Sequence, residues 1–102
     1  MSSFKDVEMK VVRWGEDRGI IQNSTPLAQF EKTIEEVAEL NAALQANDKA
    51  AIIDGIGDVL ITLTMICGIL DLDMTQCYEA AYNEIKDRKG FLNKDGIFIK
   101  DV

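Results

Sequence analysis

The chain has 102 residues, 47% of them apolar, with a formal net charge of −7 and no histidine. Its length fits one domain over the whole chain, with a core limited by size, and its charge argues against nucleic acid, whose phosphates need a basic face. An acidic protein still handles phosphates when a divalent cation bridges the like charges, whereas a di-iron bundle built on Glu-x-x-His motifs is impossible without histidine.

Four helices and a short tail account for nearly all of the chain. The first helix is expected over roughly residues 3–18, where Phe4, Val7, Val11 and Trp14 recur at helical spacing and Gly19 can end it in a left-handed conformation. A polar turn follows, Gln22 to Thr25. Thr25 can cap the second helix, with Pro26 in its first turn. Leu27, Phe30, Ile34, Val37, Leu40, Asn41 and Leu44 then trace one stripe, and the pattern fades near Asn47. Glu35, Glu36, Glu39 and Lys32 project away from that stripe, as on a helix with one solvated face.

Asp48 caps a third helix over roughly residues 49–70, which is apolar in nearly every direction and so must be covered all round. Three further helices of this length cover it only in part, which predicts a second subunit. Asp73 caps the fourth, roughly residues 74–89, with Gly90 as its stop, and Asp95-Gly96 marks a hairpin-type turn in the tail. The expected fold is all-α: a four-helix bundle-like subunit with a hairpin-like C-terminal tail, assembled as an oligomer.

Cys67 and Cys77 show no metal-ligand spacing, and Cys67 falls inside the apolar helix as a buried thiol. The opening MSSFKDVEMK has no apolar signal region, so a cytoplasmic location is expected. The uninterrupted apolar run, residues 59–70, is shorter than the roughly 18 residues of a membrane span, so no membrane partner is expected.

Asp54 and Asp58 leave the same side of the third helix, one turn apart. An ionised carboxylate among Val59, Leu60 and Ile61 costs several kcal/mol unless it is paired or binds a metal. Gly55 and Gly57 flank the pair despite their poor helix propensity, which suggests close approach of a helix or ligand. A short loop makes the second and third helices antiparallel neighbours, so Glu35, Glu36 and Glu39 can face the two aspartates with only Lys32 to offset them. Hard oxygen ligands without histidine or thiolate suit Mg²⁺ or Mn²⁺. The plainer reading makes these glutamates an ordinary solvated face.

The stretches QFEKTIEEVAELNAAL and DGIGDVLITL resemble the MazG-like, all-α nucleoside triphosphate pyrophosphohydrolases, over roughly Trp14 to Lys100. Glu35, Glu36 and Glu39 match that family's E-E-x-x-E element, and Asp58 matches the closing aspartate of its E-x-x-D element. In one departure, Gly55 stands where the family has glutamate, and the acid lies one place earlier, at Asp54. The resemblance implies cleavage of a nucleoside triphosphate between its α and β phosphates, releasing a monophosphate and pyrophosphate. It implies Glu36, Glu39 and Asp58 as ligands of Mg²⁺ (or Mn²⁺), and Glu35 or Asp54 as the acid that orients or deprotonates the attacking water.

By the same resemblance Asn83, Lys86 and Arg88, with Lys32, would contact the substrate. The alternative is that the basic cluster merely places cations at a helix C-terminus. Trp14 would stack on a base, although its place in the Phe4–Val7–Val11 stripe favours core packing. Members of the family form dimers or pairs of dimers, which implies a homotetramer here, with a dimer as the smaller possibility. The rival to an enzyme is an acidic, helical, homo-oligomeric interaction protein without catalysis.

Overall fold

A computed structural model describes residues 2–101. Five helices, α1 (Phe4–Asp17), α2 (Ile20–Asn23), α3 (Pro26–Gln45), α4 (Lys49–Ile69) and α5 (Met74–Ile85), precede an antiparallel hairpin of β1 (Gly90–Leu92) and β2 (Phe98–Lys100). The first half of the expected polar turn, Gln22 and Asn23, belongs instead to an extra helix, α2, while Ser24 and Thr25 are extended. Gly19 does take the left-handed conformation, at φ 76°, but the chain re-enters a helix at once. The apolar Ile21 explains this. It packs where a side chain on Gly68 would stand, and so ties α2 to α4.

The caps read from the sequence are in place. Thr25 Oγ1 accepts from Ala28 N at 3.1 Å, Asp48 Oδ1 from Ala51 N at 3.2 Å, and Asp73 Oδ1 from Gln76 N at 3.2 Å. The last helix is a turn shorter than expected, with Lys86 as its C-cap. Gly90 is not its stop but the first residue of β1, where a Cβ would lie only 2.1 Å from the Ile99 carbonyl oxygen. In the turn, Asn93 Oδ1 accepts from Asp95 N and Ile97 N, both at 2.9 Å, and Gly96 takes φ 80°.

The antiparallel pair α3 and α4 is the backbone of the subunit. Two cross-contacts set its register. Thr33 Oγ1 donates to Thr62 Oγ1 at 2.8 Å, and Leu40 lies against Gly55 so closely that a Cβ there would be 3.3 Å from its Cα. Both pairs share one register, which brings Glu36 level with Asp58 and Val59, and Glu39 level with Ile56. α1 packs on another face of α4, and α5 touches the ends of both. Glu8 of α1 secures that joint: its buried carboxylate accepts from Met74 N at 2.7 Å, Thr75 N at 3.2 Å and Thr75 Oγ1 at 2.6 Å, capping α5 from outside.

The burial of α3 departs from the amphipathic reading. Its inward residues are Thr33, Glu36 and Ala43, while Leu27, Phe30, Ile34, Val37 and Leu44 are exposed. On a helical projection the two faces lie roughly 110° apart. Hydroxyl and small side chains let α4 approach, so the apolar stripe is left without cover in one subunit. Among the described residues, the buried apolar side chains are Ala43, Met65 and Met74. The radius of gyration, 15.9 Å, exceeds the roughly 13 Å of a compact chain of this length. α4 has 21 residues and contains an 18-residue window of mean hydropathy 1.9, so it is long and apolar enough to cross a membrane, although residues 59–70 alone are not. Cys67 is half-buried rather than buried, and its thiol is pushed up to about 11 by burial and by the neighbouring Cys77.

Candidate active site between the long helices

A cleft of about 670 Å³ opens where α3, α4 and the α1–α2 corner meet. Its acidic part is built by Glu31, Glu35 and Glu36 from α3 and Asp58 from α4, with Lys32 beside them. Lys32 lies one turn before Glu35 and Glu36, and its Nζ stands 3.3 Å from Glu35 Oε2 and 3.5 Å from Glu36 Oε1. These partners, Glu35 first, hold the ammonium above its ordinary range.

Glu36 is only 8% exposed, and its Oε2 has no hydrogen-bond partner among the described residues. A buried carboxylate oxygen without a partner carries its full desolvation cost. Asp58 shows the same tension. Burial, then the charges of Asp54 and Glu36, hold its carboxyl above the usual carboxylate range. The helix propensities of α4 do not call for an acid here; tertiary packing holds it against its neighbours.

Asp54 is exposed one turn before Asp58 and couples to it, as the four-residue spacing predicts. Glu39 is exposed and lies outside the cleft lining, although the helix register puts it between the levels of Asp54 and Asp58. Among the described residues, no three acids stand close enough together to hold a metal ion as they are. The donor chemistry nevertheless fits a hard divalent cation: oxygen atoms only, one of them buried and unpaired, and a carboxyl disfavoured by its neighbours.

The other end of the cleft is aromatic and polar. Trp14, Ile20, Ala28 and Gln29 line it, with Ile61 and Met65 below. Trp14 is thus not a core residue: it is 41% exposed, and the Arg18 guanidinium sits 5.2 Å from its ring centroid. Of the cleft lining, the sequence reading missed Ile20, Ala28, Gln29, Glu31, Thr62 and Met65, and it missed Arg18 beside Trp14. The cap at Thr25 was the available signal for Gln29, since it starts α3 early enough to set Gln29 two turns before Glu36.

Asn83, Lys86 and Arg88 are exposed on α5 and the segment after it, and none lines the cleft. Arg88 instead lines a separate hollow with Glu84, Asp87, Lys89, Lys100 and Asp101.

The family model described as the MazG nucleotide pyrophosphohydrolase domain matches residues 24–90. The chain belongs to the MazG family. The matched stretch holds α3, α4 and α5, and with them every acid of the cleft; α1 and Trp14 lie outside it, so the match is shorter than the expected span. Another similar sequence is an "Uncharacterized 18.2 kDa protein in rep-hol intergenic region" of Haemophilus phage HP1 (strain HP1c1), 32% identical over 66 residues. That alignment covers 65% of this MazG chain and 40% of the phage protein, so the chain spans less than half the length of that relative. No solved structure matches.

Proposed function

We propose that the protein is a Mg²⁺-dependent nucleoside triphosphate pyrophosphohydrolase, cleaving between the α and β phosphates. The observation that carries this is Glu36 Oε2, a buried anionic oxygen without a partner, set level with Asp58 in a cleft large enough for a nucleotide. Glu36, Glu39 and Asp58 would hold the ion, with Mn²⁺ as a substitute. A bound divalent ion there supplies charge neutralisation for the triphosphate and an acidified water.

The chain's own residues do the rest. Lys32 is placed to leave Glu35 and Glu36 and take a phosphate oxygen, and Glu35 or Asp54 would orient and deprotonate the attacking water. Trp14 offers its indole to the base. Asn83, Lys86 and Arg88 enter this reading only as contacts from a neighbouring subunit, because within one subunit they lie outside the cleft.

We read the exposed α3 stripe as covered by another copy in a homotetramer, or at least a dimer. We read α4 as a core helix of a cytoplasmic protein, since Asp58 near its middle would cost about 3 kcal/mol in a bilayer and Asp54 would add to that. The test is pyrophosphate and orthophosphate release from ribo- and deoxyribonucleoside triphosphates with Mg²⁺ or Mn²⁺, for wild type, Asp58→Asn and Glu36→Gln. Metal-dependent pyrophosphate release, lost in both variants, is expected. Orthophosphate alone would mean the wrong bond, and no release from a folded oligomer would favour a non-catalytic interaction protein.

A further inference from the structure

The C-terminal hairpin stands apart from the helices. Among the described residues, neither strand packs against any helix of its own subunit. Its base meets the end of α5 only across a polar hollow, lined by Glu84, Asp87, Arg88, Lys89, Lys100 and Asp101. The strands pair Phe91 with Ile99 and Leu92 with Phe98. Successive residues of a strand point to opposite faces, so each face carries one apolar pair, and all four side chains are exposed. A two-stranded hairpin bare on both faces is at best marginally stable in water, so a surface outside the subunit must cover it.

Charge identifies that surface. Residues 86–102 hold five basic side chains against three acidic ones, in a chain whose net charge is −7. The helix just before them, α5, has Glu79 and Glu84 and no basic residue. Tyr78, Tyr82 and Ile85 of α5 are exposed, and with Glu79 they line a hollow of about 420 Å³. Phe4 extends this patch, its ring centroid 5.9 Å from that of Tyr78. The bare hairpin is thus apolar and basic, and the bare face of α5 is apolar and acidic. We infer that the hairpin of one copy seats on the α5 face of a second copy, and the second hairpin on the first. Such an exchange is self-complementary, as a two-fold contact requires. It rests on the reading of the protein as an oligomer, and names an interface separate from the α3 stripe.

The test is sedimentation velocity of the intact protein over a concentration series. Lys94→Glu and Glu79→Lys, each alone, bring like charges together and should weaken association at least about tenfold. Mixed in equal amounts, the two variants form one contact between reversed charges and one between native charges, and should associate as wild type does. Tyr82→Ser should weaken association to the same degree, and so should at least one of Phe91→Ser and Leu92→Ser, which lie on opposite faces of the hairpin. All three side chains are exposed within one subunit, so a part in its own fold alone predicts no change in mass. Variants that associate like wild type, or a mixture that fails to restore association, would overturn the docking and leave the oligomer reading standing. A monomeric wild type would overturn both.

Discussion

Gly55 and Gly57 lie in the same stretch of α4, yet replacing Gly57 by alanine should stabilise the fold and replacing Gly55 should not. Either change removes a glycine from a helix interior, which favours the variant by about 1 kcal/mol. At Gly57 a new methyl would have nothing within 4 Å, so Gly57→Ala should stabilise by about that amount. At Gly55 the methyl would lie 3.2 Å from Leu40 Cδ1 and 3.3 Å from Leu40 Cα. A side-chain carbon can rotate away, but the Cα moves only if α3 moves. Overpacking of this kind costs about 1–3 kcal/mol, so Gly55→Ala should be neutral to about 2 kcal/mol destabilising. Urea unfolding at one protein concentration, followed by circular dichroism, reads the difference as a shift in midpoint at constant slope. Glu36 is one turn from Leu40, so Gly55→Ala should also depress pyrophosphate release while Gly57→Ala leaves it intact. Equal stabilisation by the two substitutions would refute the close approach of α3 and α4 on which the cleft depends.

Other contacts carry predictions of their own. Glu8→Ala leaves Met74 N, Thr75 N and Thr75 Oγ1 without their acceptor and should cost about 2–4 kcal/mol in chemical unfolding, with Glu8→Gln recovering part of it. Thr33→Val and Thr62→Val break the hydroxyl link between α3 and α4, and a double-mutant cycle should return a coupling of about 0.5–1.5 kcal/mol; additivity would deny the bond. Asp73 is held below the usual carboxylate range, first by its hydrogen bond with Lys5. A depressed carboxyl stabilises the fold above its unfolded-state value and loses that contribution as pH falls through its folded value. Wild type should therefore exceed Lys5→Met in thermal stability at neutral pH, and the two should converge in acid, below the range in which free carboxylates titrate. A gap that persists into strong acid would assign the effect of Lys5 to packing instead.

What the sequence by itself determined is local. Thr25, Asp48 and Asp73 started their helices where capping chemistry places them, Asp95-Gly96 turned the hairpin, and the spacing of Asp54 and Asp58 put both carboxylates on one side. Each of these depends on residues within a turn of one another, so no distant partner was needed. What only the tertiary structure decided is which faces meet. The apolar stripe of α3 looked like its buried side, but Thr33, Glu36 and Ala43 face inward instead, because Thr62 on α4 bonds the Thr33 hydroxyl and Gly55 lets Leu40 approach at short range. That rotation buries Glu36 without a partner for Oε2 and turns an ordinary glutamate-rich helix into one wall of a cleft. Trp14 and Gln29 join the acids there only because α1, α2 and α3 all pack on α4, an association between distant elements that helical periodicity within one segment does not encode.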